Sequence, residues 1–244
     1  MRLPFPHLYE HSLDSTNVRA MDMLSKIKPE NGFMVIADYQ TAGKGQFGRK
    51  WQSVAGQNLL CSLIMGPLNW PISRLFALHL CSCLALLNLI RDSGIQQVKI
   101  KWPNDLYVGD RKIAGILIEN ILREANIQWS VIGVGLNVHH FPVETGINAT
   151  SLSMETGLSY SIEELAVRLR QQMLLQFSTS QDQALQLIEY NENLYGLGKM
   201  MPFKDNFEKA FMAIPLAVDQ DGLLHLKDFE GKSLIKRHGE VHWL

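Results

Sequence analysis

A glycine-rich segment near the N-terminus combines a permissive backbone with positive charge. Its sequence is DYQTAGKGQFGRKWQS (residues 38–53), and its glycines and cations are Gly43, Lys44, Gly45, Gly48, Arg49 and Lys50. Glycine lets the backbone adopt positive φ and approach a ligand closely, and neighbouring N–H groups and cations attract anions. The segment therefore predicts a loop that holds a phosphate or a carboxylate.

Two other interpretations fit the glycine spacing. The pattern G-x-G-x-x-G is typical of dinucleotide sites, but there it opens a helix and an acid follows about 20 residues later. Here the loop leads into a second apolar run, NLLCSLIM, and the next acid is Asp92. This context argues against a dinucleotide site, whereas an ordinary hairpin connection stays open on spacing alone.

A second segment, QVKIKWPNDLYVGDRKIAGILIENIL, carries a carboxylate and an amine on either side of a tight hairpin. VKIKW and LYV are typical of short strands around a WPND turn, and Gly109 and Asp110 form the next turn. Lys112 follows Asp105 by seven residues, so the hairpin could bring the two charges to one site. Residue types alone favour the alternative that WPND is only a turn and Lys112 a solvated charge.

The strand QWSVIGVGLNV is unusual because Gly133 and Gly135 give it no side chains to pack. In a strand, such glycines often mark close approach of a ligand or another chain, toward which Asn137 would point. His139 and His140 are adjacent and therefore face opposite ways, which makes a poor metal-ligand pair. The sequence predicts no metal site.

Polar residues also precede the first helical pattern, in which Val18, Met21 and Leu24 recur at helical spacing. Asp14, Ser15 and Thr16 are good N-cap residues, and capping alone is the more common use of such residues.

Hydrophobic patterning supplies the elements that position these groups. GFMVIADYQ and NLLCSLIM predict buried strands on either side of the glycine loop, and residues 71–94 predict a buried helix closed by Gly94. Two more helices are predicted, one capped by Ser161 and one ending near Gly196. From residue 201 onward, short strands with turns at DQDG, FEGK and RHGE predict a small β barrel or sandwich. A unit of this size is marginal alone and should pack on the larger one.

Composition excludes several classes of protein. With 244 residues, 46% of them hydrophobic, the chain can bury a substantial core, and a formal net charge of −1 gives no overall attraction to nucleic acid or anionic membrane. Three cysteines form no disulfide framework, which indicates buried thiols in a reducing compartment. The N-terminus has no apolar core of the kind that a signal peptide needs. The apolar run of residues 75–90 is short and is interrupted by His79 and Asn88, so we expect a buried helix rather than a membrane span.

Four motifs in register resemble those of the biotin protein ligases, which attach biotin to a lysine of a carboxylase carrier domain. They are LDSTN, YQTAGKGQFGRKW, KWPNDLYVGDRKIAGILIE and IGVGLN, with HGEV near the C-terminus. The resemblance implies an α+β fold: a mixed β-sheet flanked by helices in a catalytic domain (residues 1–198), then a small SH3-like barrel (residues 199–244). Some members add an N-terminal DNA-binding domain. This chain starts almost at LDSTN, so we expect it to lack that domain.

The resemblance assigns residues to a biotin pocket and to a loop that closes over biotin and the phosphate. These are Ser15, Thr16, Asn17, Gln40, Gly43, Lys44, Gly45, Gln46, Lys112 and Gly115. For Ser15 and Thr16 it replaces the capping interpretation.

The resemblance also assigns the nucleotide and catalytic residues. The residues implied to contact the nucleotide are Arg49, Trp51, Asn104 and Asn137. Of these, Arg49 would face the phosphate and Trp51 would pack beside the adenine. Lys112, Asp105 and Arg49 are the implied catalytic residues. Lys112 would contact the reacting carboxylate and phosphate, and Asp105 would help deprotonate the target lysine.

The implied reaction uses ATP, biotin and Mg²⁺. A carboxylate is a poor electrophile, so it first displaces pyrophosphate from ATP, a step that needs cations against the phosphate charge. The amine of the carrier lysine then attacks the acyl adenylate, helped by a base and by exclusion of water.

One departure from the family pattern concerns the loop, which usually reads GRGRxGRxW. Lys44 and Gln46 stand at the positions of its first two arginines. Lysine keeps the charge but loses the bidentate fork, and glutamine keeps only neutral hydrogen bonding. The resemblance thus implies a weaker hold on the biotinyl phosphate unless another cation such as Lys50 compensates.

Alternative functions remain. A lipoate-protein ligase would run the same chemistry on another acid, and a non-catalytic biotin- or nucleotide-binding regulator would bind ATP without releasing pyrophosphate. A DNA-binding role is disfavoured because the chain has no basic face, and no membrane partner is expected. We expect a cytoplasmic protein, with a homodimer joined at sheet edges as an open alternative.

Overall fold

A mixed β-sheet of eight strands forms the centre of the computed structural model, which describes residues 1–140 and 148–244. Its strands are β1 (His7–Leu13), β2 (Phe33–Gln40), β3 (Asn58–Met65), β4 (Trp70–Pro71), β5 (Val98–Lys101), β6 (Asp105–Val108), β7 (Arg111–Arg123) and β8 (Asn126–Asn137). The strand order is β1-β2-β3-β8-β7-β6-β5, with the short β4 also paired to β8. The β1–β2 pair is parallel and the other pairs of this sheet are antiparallel.

The strands predicted from apolar runs are confirmed, and β1 is an addition. β3 is buried along its whole length, which explains its mainly apolar sequence. β1 lies at the sheet edge, mixes polar and apolar residues and has no buried position, so its pattern gave little signal. Its parallel pairing with β2 requires a crossover, which the first helix provides.

Helices cover both faces of this sheet. They are α1 (Thr16–Lys26), α2 (Leu75–Asp92), α3 (Leu152–Thr156), α4 (Ile162–Ser178) and α5 (Gln183–Glu192). α1 packs over β2, β3 and β8, whereas α2 and α4 pack together on the opposite face. The predicted caps are confirmed: Ser161 Oγ accepts from Glu164 N at 3.2 Å, and Gly94 has a φ of +102° just beyond α2. α5 ends at Glu192, before the predicted end near Gly196.

α2 is the central helix of the core. With the turn before it, Ile72–Asp92, it is 21 residues long and apolar enough to cross a membrane, but 67% of its most apolar stretch is buried inside the protein. The prediction that this helix is buried is confirmed, and the length sufficient for a membrane span belongs to the longer segment Ile72–Asp92 rather than to the run of residues 75–90.

The C-terminal strands form a second, antiparallel sheet. They are β9 (Met201–Asp205), β10 (Ala210–Val218), β11 (Leu224–Asp228), β12 (Ser233–Lys236) and β13 (Val241–Trp243). Their order is β12-β11-β10-β9-β13. Within the described residues β12 and β13 are the two edge strands and do not pair with each other, so the sheet is not shown to close into a barrel. Gly222 and Gly231 have positive φ in the predicted DQDG and FEGK turns.

This second sheet packs against the first unit, as predicted for so small a unit. Trp102 Nε1 donates to Gly222 O at 3.0 Å, and Trp243 Nε1 donates to Trp102 O at 3.3 Å. Phe203 and Leu226 belong to the same buried cluster as α2. One hydrophobic core therefore runs through both sheets.

His79, on α2, predicts a pH dependence of stability. Its Nδ1 is buried without a hydrogen-bond partner among the described residues, and burial lowers its pKa to about 4. Because the unfolded value is about 6.5, the unfolded chain binds the proton first as pH falls, and stability is lost between about pH 6.5 and 4. We expect His79→Leu to reduce the difference in unfolding free energy between pH 7.5 and 4.5 by about 2–3 kcal/mol. Urea denaturation at both pH values measures this.

The matched control is His140→Leu, because His140 is exposed. It should keep the pH dependence of the parent protein. An identical pH dependence in His79→Leu and the parent would contradict the assignment to His79.

Candidate functional site

A cavity of 540 Å³ lies where the glycine loop, the N-terminus of α1, strands β5–β8 and the C-terminal sheet meet. Fourteen of the fifteen site residues predicted from the sequence line it. They are Ser15, Thr16, Asn17, Gln40, Lys44, Gly45, Gln46, Arg49, Trp51, Asn104, Asp105, Lys112, Gly115 and Asn137. The remaining residue is Gly43, and the structure thus gathers segments that are far apart in the sequence.

A neutral polar network closes the cavity at the start of α1. The backbone N–H and hydroxyl of Thr16 donate to Gln40 Oε1 at 2.8 and 3.2 Å. Ser62 Oγ donates to Asn17 Oδ1 at 2.6 Å and lies 2.7 Å from Thr16 Oγ1. Asn17 Nδ2 in turn donates to Glu119 Oε2 at 2.8 Å. These bonds fix the side chains in a wall that offers both donors and acceptors.

Ser15 stands at the N-cap of α1, but its side chain makes no capping bond. The N–H of Thr16 is satisfied by Gln40 instead. Capping alone therefore does not explain Ser15, whose side chain is buried and borders the cavity.

The glycine loop forms a small hairpin over the cavity. Gly45 N donates to Arg49 O at 2.7 Å, and Trp51 N donates to Gly43 O at 2.9 Å. A Cβ on Gly43 would lie 2.5 Å from Trp51 O, so this glycine permits the close pairing of the two arms. Gly43 does not line the cavity, which differs from its predicted contact with the ligand. The segment is therefore a hairpin, as one interpretation of its glycine spacing predicted. It also borders the cavity, as the prediction of a binding loop requires.

Trp51 lines the cavity and packs against two strands of the central sheet. A Cβ on Gly135 would lie 2.3 Å from Trp51 Cε2, and one on Gly115 would lie 3.1 Å from Trp51 Cζ3. The indole therefore rests directly on the backbone of β7 and β8. Its Nε1 is buried with no partner among the described residues, so a hydrogen-bond donor is left for a ligand.

Asp105 and Lys112 form an ion pair in the cavity, with Oδ2 and Nζ 2.6 Å apart. Their side chains are 24% and 20% exposed. The interpretation of WPND as only a turn, with Lys112 solvated, was therefore wrong. A bulge in the β6–β7 pairing lets Lys112 and Gly115 line the same cavity, although they are three residues apart on one strand.

The two asparagines are held by the backbone. Asn104 Nδ2 donates to Ile116 O, and Asn137 Nδ2 donates to Thr150 O at 3.0 Å. Each amide therefore has a fixed orientation beside the cavity.

Sequence reasoning missed several residues of the site. Among those that line the cavity are Phe47, Lys101, Tyr107, His238, His242 and Trp243. The C-terminal residues reach the site because the ring of His238 lies 4.7 Å from that of Phe47 at the tip of the glycine loop. Ser62, which supports the cavity residue Asn17 from behind, was missed because it lies within the apolar run of β3, where its only signal is a polar residue at a buried strand position.

The charges of the cavity favour an anionic ligand. Its cations are Lys44, Arg49, Lys50, Lys101 and Lys112. Among the described residues that line it, Asp105 is the only carboxylate. A neutral polar wall next to a cationic region suits a ligand with a polar head and a phosphate or carboxylate end.

Comparisons with known proteins agree with this geometry. The model of the Biotin/lipoate A/B protein ligase family matches residues 9–137. The bifunctional ligase/repressor BirA of Escherichia coli is 32% identical over 227 residues, which cover 88% of this chain and 67% of that protein. BirA of Bacillus subtilis is 36% identical over 154 residues, or 62% of this chain and 47% of the relative, so the chain spans about half the length of that protein.

A solved structure with the same fold is the biotin protein ligase from Aquifex aeolicus in complex with biotin and ATP. Its TM-score is 0.79 at 22% identity, with 98% of this chain and 99% of that chain covered. The family match covers more than half of the chain and includes all four motifs. The chain therefore belongs to the biotin/lipoate A/B protein ligase family.

Proposed function

We propose that the protein is an ATP-dependent ligase that activates biotin as biotinyl-5′-AMP and transfers it to a lysine of a biotin carboxyl carrier domain. The observation that carries this proposal is the juxtaposition, in one cavity, of the neutral network around Asn17 and the Asp105–Lys112 pair. The names of the relatives, which include biotin–[acetyl-CoA-carboxylase] ligase of Mycobacterium tuberculosis, support the reaction and the acceptor.

The neutral wall suits the ureido head group of biotin. A ureido group carries a carbonyl oxygen and N–H groups, so it needs donors and acceptors on one surface. Thr16, Asn17 and Gln40 line the cavity and carry both kinds of group, and the buried Ser62 holds Asn17 in place from behind. The dithiolane ring of lipoate would leave these groups without ligand partners, which is why we favour biotin over lipoate.

Activation takes place at the cationic side of the cavity. An oxygen of the biotin carboxylate attacks the α-phosphorus of ATP, and the bond from that phosphorus to the bridging oxygen breaks to release pyrophosphate. Lys112 and Arg49 neutralise the charge that gathers on the phosphoryl oxygens. Mg²⁺ held by the nucleotide phosphates would supply further charge neutralisation there, since Asp105, the single carboxylate among the described lining residues, is paired with Lys112.

Transfer needs a neutral amine and a dry site. Asp105 accepts the proton of the acceptor lysine as its amine attacks the acyl carbon, and AMP leaves. Trp51 and the glycine loop cover the acyl adenylate and limit its hydrolysis.

The proposal also covers the division into domains, the cellular compartment and the oligomeric state. We assign residues 1–198 to catalysis and residues 199–244 to a small domain that completes the cavity through His238 and Trp243. Three free, buried cysteines support a reducing compartment such as the cytoplasm. The homodimer stays a prediction.

The test is pyrophosphate release by the full chain in ATP and Mg²⁺, with biotin, with lipoate or without an acid. We expect release only with biotin, followed by biotinylation of a purified carrier domain detected by mass spectrometry. Release with lipoate instead would overturn the substrate. Biotin binding without release in any mixture would favour the non-catalytic binding protein.

A further inference from the structure

Lys101 lies at the far side of the cavity in a cage of aromatic rings. Its Nζ is 4.5 Å from the ring centroid of Tyr107, 5.5 Å from that of Tyr195 and 5.8 Å from that of Trp243. The rings come from β6, from the segment after α5 and from β13, and adjacent rings are 5.5 Å apart. Three separate parts of the chain therefore hold one ammonium in place.

This ammonium has no ion-pair or hydrogen-bond partner within residues 1–140 and 148–244. Asp105 lies opposite it on the neighbouring strand but is paired with Lys112 at 2.6 Å. Burial lowers the pKa of Lys101; the negative charge of Asp105 opposes this shift, and the positive charges of Lys112 and Arg49 add to it. A partly buried cation without a direct anionic partner is unfavourable, and aromatic faces offset only part of this penalty.

The cage leaves the N–H donors of Lys101 available to a ligand. Rings stabilise a cation through their faces without neutralising its charge, unlike a carboxylate partner. Since Lys101 also lines the cavity, an anionic ligand there would supply the missing partner.

The order of strands indicates which part of a ligand reaches Lys101. The neutral network lies over β3 and β8, Lys112 is on β7, and Lys101 is on β5. Strands β7 and β5 are separated by β6, which places them about 10 Å apart. If the reacting carboxylate and the α-phosphate meet at Lys112, the outer phosphates extend toward β5.

Building on the proposed function, we propose that Lys101 binds the β- and γ-phosphates of ATP and stabilises the pyrophosphate that leaves during activation. The α-phosphorus gains a bond to the biotin carboxylate and loses its bond to the bridging oxygen. The electron pair of that bond stays on the pyrophosphate, where the Lys101 ammonium faces the new negative charge.

The experiment compares Lys101→Met and Lys101→Arg with the parent full-length protein. Lys101→Met should slow pyrophosphate release with biotin by about 10- to 100-fold, by the loss of one electrostatic partner of the leaving group. It should also weaken binding of inorganic pyrophosphate in calorimetry. Transfer from synthetic biotinyl-5′-AMP to the carrier domain and biotin affinity without ATP should each stay within about twofold, because neither involves pyrophosphate. Lys101→Arg should recover part of the release rate.

Lys99→Met is the matched control. Lys99 is on the same strand, donates to Glu192 O at 3.1 Å and does not line the cavity, so its loss should leave all four measurements unchanged. Equal slowing of release and transfer in Lys101→Met, together with a lower melting temperature, would indicate a purely structural role and overturn the proposal. Slower transfer with normal release would do the same, since it would assign Lys101 to the acceptor amine.

The pyrophosphate measurement separates this proposal from the proposed function. If the parent protein released no pyrophosphate with biotin, the proposed function would fail. The assignment of Lys101 would still require weaker pyrophosphate binding in Lys101→Met, and unchanged binding would overturn it by itself.

Discussion

Replacement of Lys112 by methionine is expected to slow pyrophosphate release with biotin by a factor of about 10²–10³, the usual effect of removing a donor to a developing charge. Methionine keeps most of the length and apolar volume of the lysine stem but has no charge. The change also leaves the Asp105 carboxylate without its partner at 2.6 Å, beside the site proposed for the phosphates. The measurement is the initial rate of release at saturating ATP and biotin.

A double-mutant cycle with Asp105→Asn separates the two causes of this loss. If repulsion by the unpaired carboxylate contributes, Lys112→Met with Asp105→Asn should release pyrophosphate faster than Lys112→Met alone. Lys209→Met, in an exposed turn of the C-terminal sheet, is the control and should match the parent protein. A parent-like rate in Lys112→Met would remove Lys112 from the activation step.

Much of the fold follows from local sequence patterns. β2, β3 and α2 are long, strongly apolar segments, and their type was predictable because burial selects continuous apolar residues. β1 was not predictable in this way, since an edge strand without buried positions has no clear alternation. Its place is set by pairing with β2, which is a tertiary effect.

The Asp105–Lys112 ion pair shows a second limit of prediction from the sequence. Sequence spacing indicated that a hairpin could join Asp105 to Lys112, and the structure joins them at 2.6 Å. Regular alternation, however, would place Lys112 and Gly115 on opposite faces of β7. The bulge that brings both to the cavity arises from the pairing of β6 with β7 and leaves no mark in the sequence of either strand. Lys101 was missed for a related reason, because its cage is assembled from three separate segments.

The glycines of the site are needed because a side chain there would collide with a neighbouring group, not because the backbone has a positive φ. Seventeen glycines lie in the described residues, and twelve of them have positive φ. The other five are Gly43, Gly45, Gly115, Gly133 and Gly135. All five lie at the cavity or directly behind it, in contact with Trp51, Arg49 or Asn17. Glycine is needed there because another group occupies the position of a side chain.

Gly133→Ala is therefore expected to weaken biotin binding by about 100-fold or more, which corresponds to about 2.7 kcal/mol. The added Cβ would lie 2.3 Å from Asn17 Oδ1, so the amide must move. Asn17 would then lose its bonds to Ser62 and Glu119, at 2.6 and 2.8 Å, and the polar wall would lose its arrangement. Biotin affinity measured by calorimetry without ATP tests this directly.

The role of Asn17 as the mediator can be tested by combining Gly133→Ala with Asn17→Ala. Asn17→Ala removes the amide that the new methyl group would displace. If Gly133→Ala acts only through that amide, the double variant should bind biotin as weakly as Asn17→Ala and no more weakly. Effects that multiply would show that the methyl group blocks biotin itself. Either variant must keep the melting temperature of the parent protein within a few degrees, since Gly133 lies in the central strand β8, and a large drop would instead assign the loss to misfolding.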